Sequence, residues 1–223
     1  MGFRSVSVTY VLKFIFTILC KIECKEYTQA LKNNKPMLVI FNHVNFLEVP
    51  ILVTHSFPVK VSGLVKSETW KNPLFAFLFN TFKAIPIDRK GAFSDSFKKV
   101  HNAVEGGVFI CIAPEGTRNK DGILGRGKSG IVQLAIEYNI PILPVAHFGG
   151  ERIWQNIKKI KRTHLYFKAG KPFKINYDGR PGKEERELIT SEVMAQIARL
   201  LPEDKRGVYL QKAQEESKYL EFI

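Results

Sequence analysis

Residues 36–48 read PMLVIFNHVNFLE, an apolar run that stops at Asn42 and gives way to a polar turn and then a helical pattern. A short apolar run bounded by turn residues, here Met37–Phe41, predicts a strand. The arrangement recurs downstream. Apolar runs predict strands at Val59–Val65, Ala84–Ile87, Val108–Ala113, Ile142–His147 and Leu165–Ala169. Helical patterns fall at Phe46–Ser56, Pro73–Phe82, Phe93–Glu105, Lys128–Tyr138 and Lys183–Leu201. Strands alternating with helices predict an α/β fold with a central, mostly parallel sheet flanked by helices. Asn72 and Pro73 form a cap and first-turn pair. Leu188, Val193, Ile197 and Leu201 are the apolar positions by which the last helix closes the core, and Pro73–Phe82, dense in Phe and Leu, is expected to pack in the core, with a wall for an apolar chain or a membrane contact as the alternative. No repeat or low-complexity linker divides the chain, so residues 25–223 read as one α/β domain behind an N-terminal segment, 1–24.

That N-terminal segment contains VSVTYVLKFIFTIL, Val6–Leu19, apolar but interrupted by Lys13. It is too short to span a bilayer, which takes ~20 apolar residues. No small-residue cleavage pattern of a signal peptide follows it. The expectation is an uncleaved helix lying on one leaflet, against the alternative of an amphipathic helix packed on the domain.

With 223 residues, 45% of them hydrophobic, the chain can bury a core, which excludes disordered and small disulfide-stapled classes. Lys+Arg 34 against Asp+Glu 21 gives a net charge of +13, so an anionic partner is expected: nucleic acid, a phosphorylated ligand or a phospholipid surface. Cys20, Cys24 and Cys111 lack the paired spacing of a zinc site, and no structural metal is expected. The G-x-S-x-G and H-E-x-x-H patterns are absent. Gly122–Ser129 satisfies G-x-x-x-x-G-K-[ST], but Pro114–Asp121 intervene where a phosphate loop must leave its strand, so a glycine-rich surface turn is the better reading.

The chemistry-bearing turns lie where strands end, which is where open α/β sheets bind ligands. His43 and Glu48 are five apart; on one continuous helix they point ~140° away from each other, so they meet only if His43 lies in the turn. Glu48 then fixes one imidazole nitrogen and leaves the other to take a proton from a hydroxyl, with no enzyme nucleophile in the scheme. Asn45 and Glu48 also have capping-box spacing, which makes local capping an open alternative. A second turn, Pro114-Glu115-Gly116-Thr117-Arg118, carries an acid, a glycine, a hydroxyl and a guanidinium suited to phosphate. A third, Ile85-Pro86-Ile87-Asp88-Arg89, adds another arginine.

Taken in order, these turns resemble the motifs of the glycerolipid acyltransferases of the lysophosphatidic acid acyltransferase (PlsC-like) family: Asn42-His43 with Glu48, the apolar strand ending at Arg89, Pro114–Arg118, and the strand around Pro144, over about Cys24 to Pro172. The resemblance implies transfer of a fatty acyl group from acyl-CoA or acyl-ACP to the sn-2 hydroxyl of 1-acyl-glycerol-3-phosphate. It assigns His43 as general base and Glu48 as its orienting acid. Arg89 and Arg118 are to hold the phosphate, Glu115, Gly116 and Thr117 to shape the glycerol site, and Lys128, with Lys83 and Arg126 behind it, to assist. Asn42 and Pro144 support the motifs. No metal or bound cofactor is implied. The implied partners are a phospholipid membrane surface, the lysophospholipid acceptor and the thioester donor, and the protein is expected to be monotopic and to face the cytoplasm.

The family acid is usually Asp, and Glu48 is one methylene longer, which leaves another lysophospholipid or lipid acceptor in view. A non-catalytic lipid-binding homologue is the rival from another class. Nucleic acid is not expected, because the aromatics cluster in apolar runs instead of alternating with cations. Arg152–Arg162 interleaves cations with Trp and Ile, as a membrane-docking element or a solvated helical face does. His147, on the strand after Pro144, is expected to be a hydrogen-bonded strand histidine, with approach to the site as the alternative.

Overall fold

Leu38, Val39, Ile40 and Phe41 are each no more than 1% exposed, which a strand achieves only when both faces of its sheet are covered. The computed structural model describes residues 2–87 and 93–223. In chain order its elements are α1 (Phe3–Leu19), β1 (Cys20–Glu23), α2 (Lys25–Asn33), β2 (Leu38–Phe41), α3 (Glu48–His55), β3 (Val61–Lys66), α4 (Pro73–Thr81), β4 (Ile85–Ile87), α5 (Phe93–Glu105), β5 (Phe109–Ile112), α6 (Gly130–Glu137), β6 (Ile142–Phe148), α7 (Ile153–Lys158), β7 (Thr163–Ala169), β8 (Phe173–Ile175), α8 (Lys183–Leu200) and β9 (Leu220–Phe222).

Among the described residues the sheet runs β1-β7-β6-β2-β5-β3-β4, with β8 against β6 and β9 against β8. β2 lies parallel to both β5 and β6, β3 is parallel to β5 and β4, and β7 reverses against β6. The period of two along each strand sorts the core into two layers. Leu38, Ile40, Ile110 and Ile142 face α5, α6 and α8 through Val100, Val132 and Val193. Val39, Phe41, Cys111 and Leu143 face α1, α2, α3 and α7 through Phe16, Tyr27, Leu52 and Ile153. This is the α/β sandwich with a mostly parallel sheet that the alternation of patterns predicts.

Several readings are corrected. The first core helix starts at Glu48, two residues later than read, because the Asn45 side-chain carbonyl accepts the Leu47 N–H (2.8 Å) and bends the chain before the helix begins. Likewise α6 starts at Gly130, so Lys128 belongs to the loop before it. The sheet reaches back into the segment read as an anchor: β1 pairs with β7 from Cys20 onward. Of the positions read in the last helix, Val193, Ile197 and Leu201 are buried as expected, whereas Leu188 is exposed and its neighbour Ile189 faces the core.

The largest correction concerns α4, which was expected to pack in the core. Asn72 caps it as read, accepting from Leu74 and Phe75 N–H groups with Pro73 at the first helical position, yet none of its residues is buried. Helix α1 shows a related inversion. Its buried positions include Ser5 and Thr9, whose hydroxyls donate to the carbonyls of Gly2 and Ser5, while Phe3, Tyr10, Phe14 and Ile18 point outward. Among the described residues no helix is long and apolar enough to cross a membrane.

Candidate active site

The carboxyl ends of β5, β2 and β6 lie side by side, and the turns that leave them build the site. After β2, the bend through Val44–Leu47 returns Glu48 beneath the chain that precedes it. Its Oε2 lies 3.0 Å from His43 Nδ1, and its Oε1 accepts the N–H groups of Val44 (3.1 Å) and Asn45 (2.5 Å). The Glu48 side chain is fully buried, whereas that of His43 is 23% exposed, so the ring presents its far edge to solvent. The Glu48 to Asn45 half of a capping box therefore coexists with the His43–Glu48 pair, one carboxylate oxygen serving each. The position of Glu48 in the first turn of α3 adds the favourable end of the helix dipole.

The neighbouring turns are tied to this one. After β5, Glu115 is buried and spans two backbones: Oε1 accepts from His43 N–H and Oε2 from Gly125 N–H, each at 2.7 Å. Burial pushes its carboxyl above the usual range, against the pull of those two donors. The His43 carbonyl accepts from Asn119 N–H (2.7 Å). On the other side, Asn42 clips β6, its amide donating to the His147 carbonyl and its oxygen accepting the His147 N–H, both at 2.7 Å. Gly149, at φ +89, makes the turn out of β6; a Cβ there would stand 2.3 Å from the His164 carbonyl oxygen.

Of the residues read from sequence, His43, Glu48, Asn42, Glu115 and Gly116 converge here. Gly116 occupies the left-handed region at φ +67 and carries the chain around to Thr117 and Arg118, both exposed. Arg118, Arg126 and Lys128 are exposed, and none of them forms an ion pair with a described carboxylate. Pro144 is buried in β6, in register with Ile40 of β2. Lys83 is not brought to the dyad; it lines a cavity of about 420 Å³ with Val61 and Val108, at the opposite ends of the strands. Arg89 lies outside the described residues.

Sequence reasoning missed several contacts because they join distant positions. The Tyr209 hydroxyl accepts the Gly127 N–H (2.9 Å) and the Lys205 carbonyl accepts the Leu124 N–H (2.8 Å), so a C-terminal strap shapes the loop that carries Arg126 and Lys128. Asn42 announced its motif but not the strand it clips. His147 is corrected: its ring is buried and stacked on Phe167 (4.6 Å), and neither nitrogen is hydrogen-bonded. Beside the dyad, the rings of Trp154, Phe46, Phe75, Phe79 and Trp70 meet in succession at 4.7–6.0 Å, and none is buried.

Burial pushes all three thiols up, that of Cys111 to about 12, that of Cys20 to about 11 and that of Cys24 above its ordinary value, which disfavours the thiolate form. What the arrangement can do is hold a partly exposed imidazole in one tautomer against a buried carboxylate.

Comparison with known proteins gives concordant results. A family model described as Acyltransferase matches residues 21–147, a span that holds Asn42, His43, Glu48, Glu115–Arg118 and Pro144. The 1-acyl-sn-glycerol-3-phosphate acyltransferase of Limnanthes douglasii is 30% identical over 64% of this chain and 50% of its own. That of Pseudomonas aeruginosa is 31% identical over 52% of this chain and 46% of its own. The chain thus spans about half the length of these curated relatives. In fold it is similar to the crystal structure of the 1-acyl-sn-glycerophosphate acyltransferase PlsC from Thermotoga maritima, with a TM-score of 0.55 and 21% identity over 86% of this chain and 81% of that one.

Proposed function

The chain belongs to the acyltransferase family, and from that premise we propose that it moves a fatty acyl group from a thioester of coenzyme A or acyl carrier protein to the sn-2 hydroxyl of 1-acyl-glycerol-3-phosphate, giving phosphatidic acid. The observation that carries this is the His43 Nδ1 to Glu48 Oε2 contact at 3.0 Å, with the His43 side chain 23% exposed and the Glu48 side chain fully buried. The names of the relatives support the acceptor.

In the proposed reaction Glu48 holds the proton on His43 Nδ1, so Nε2 accepts. As the acceptor hydroxyl attacks the thioester carbonyl, its proton passes to Nε2. The tetrahedral adduct collapses, the C–S bond breaks, and the imidazolium returns the proton to the departing sulfur. One ester and one thiol leave, and His43 is again neutral. Arg118, with Lys128 and Arg126, neutralises the acceptor phosphate, a role shared with Arg89 on the family pattern. Glu115 acts here by tying the His43 turn to the Gly125 loop, and Thr117 stands at the rim. The thioester is a co-substrate, and the scheme calls for no metal.

The same reading places the protein on the anionic, cytoplasm-facing surface of a membrane. Support comes from the outward apolar face of α1, the unburied α4 and the aromatic series from Trp154 to Trp70, together with Lys158, Lys159, Lys161 and Arg162. Each surface cation contributes about 1 kcal/mol near an anionic lipid surface.

The test is an assay of purified protein with lysophospholipids and glycerol-3-phosphate as acceptors and both thioesters as donors. His43→Ala is expected to lower transfer by about 10²–10⁴-fold, the range of general-base catalysis, and to keep binding to anionic vesicles. Undiminished transfer by His43→Ala removes the mechanism. Vesicle binding with no transfer to any acceptor makes the protein a lipid-binding homologue.

A further inference from the structure

Glu48 has a second histidine beside it. His147 Nε2 lies 3.8 Å from Glu48 Oε1, the oxygen that does not face His43, and the His147 side chain is 1% exposed. The ring is held on every side. Phe167 of β7 stacks on it, and Gly150 leaves it room, since a Cβ at that position would stand 2.5 Å from Nε2. Its backbone is clipped by Asn42, the residue before the base. Neither ring nitrogen has a hydrogen-bond partner, a costly condition for a buried imidazole that could be relieved by any apolar side chain.

Resting on the acyl-transfer reading above, we propose that His147 is a positioning residue for proton transfer: as an uncharged ring it supports Glu48 from the side opposite His43, and on protonation it becomes a rival cation for the same carboxylate. The neutral ring keeps an N–H near Oε1 while leaving the full charge of Glu48 to stabilise the imidazolium that forms on His43. Apo contacts of this kind are often long and tighten during reaction. A protonated ring reverses the effect, because two imidazolium groups then compete for one carboxylate.

The groups facing His147 set when this happens. Glu48 from α3 and Glu151 from the turn after β6 favour its charged form, the latter shared with Lys205 at 3.7 Å. The Tyr166 backbone adds a weak pull in the same direction, short of hydrogen-bond geometry, and His43 opposes them. Burial outweighs all of these and holds the ring below the ordinary histidine value, which favours its neutral form.

Two variants separate positioning from packing. His147→Phe keeps the stack and removes the N–H; His147→Gln keeps a neutral donor and removes the titration. Expected are a loss of kcat of about tenfold in His147→Phe with KM little changed, and partial recovery in His147→Gln. On the acid side of the pH profile, log kcat of the parent is expected to fall with a slope steepening beyond one, and that of His147→Gln with a slope of one. The same coupling is read without turnover: the NMR titration of the His43 ring should show two steps in the parent and one in His147→Gln. A single step in both proteins overturns the inference whether or not transfer occurs. Absence of transfer by the parent, with two steps present, overturns the acyl-transfer reading and leaves the coupling standing. Should His147→Phe fail to fold, the His147→Gln titration decides.

Discussion

Glu48 and Glu115, on the floor of the site, are buried and meet a donor at each oxygen, whereas Arg118, Arg126 and Lys128, on its rim, are exposed and meet no described carboxylate. Opposite physics governs the two. A buried carboxylate is tolerable only if the fold satisfies it, so the floor is organised before any substrate arrives. Exposed cations stay hydrated and cost the fold nothing, so the rim is completed by its ligand. Changes to the floor should therefore appear in kcat or in stability, and changes to the rim in KM or in membrane binding.

The largest effect tests that division directly. Glu48→Gln retains the shape of the side chain but not its charge, and is expected to lower kcat about a hundredfold or more in steady-state kinetics with KM for the acceptor nearly unchanged. A rise in KM alone would erase the distinction between floor and rim. Next, Glu115→Ala strands the N–H groups of His43 and Gly125, and is expected to cost about 2–4 kcal/mol in urea unfolding. Arg118→Ala should raise KM for the phosphorylated acceptor about tenfold while leaving the unfolding midpoint in place.

A smaller effect lies in pH dependence. The folded state holds His147 below its ordinary value of 6.5, so its neutral form contributes stability that is present above that pH and is lost as pH falls through the folded value. Denaturation of the parent and His147→Gln between pH 7.5 and 5, a range bracketing about one unit around the histidine value, should show the parent weakening more on the acid side. Glu115 acts with the opposite sign: raised by burial, it favours the fold below the ordinary carboxyl range and less as pH climbs, which is why the paired comparison is needed. Smallest of all in stability are Leu74→Ser and Phe77→Ser on α4, expected within about 0.5 kcal/mol of the parent because both side chains are exposed. Flotation with anionic vesicles should nevertheless weaken several-fold, and unchanged flotation would sever α4 from the lipid surface.

Legibility in the sequence followed the range of each interaction. The Met37–Phe41 run and the His43 and Pro114–Arg118 turns are local patterns, and the fold places them at adjacent strand ends. Asn72 with Pro73 was equally plain, since a cap is written within three residues. The exposure of α4 was not, because PLFAFLFNT says that a helix is apolar without saying what covers it, and α6, GIVQLAIE, is about as apolar yet buries Ile131, Val132 and Leu134. β1 was hidden by its brevity and its two charges, Lys21 and Glu23. Glu115 was read toward a ligand, yet its oxygens face backbone from two other segments, and the paired use of Glu48 for both base and bend could not be separated from spacing alone.

The strap through Lys205 and Tyr209 lies some sixty positions beyond the stretch 21–147 that defines the family relationship. One wall of the cationic loop is thus furnished by the tail of the chain. Shortening or exchanging that tail would remove contacts on both sides of Gly125, and because Gly125 and His43 share Glu115, the disturbance would pass from the tail to the turn that carries the imidazole.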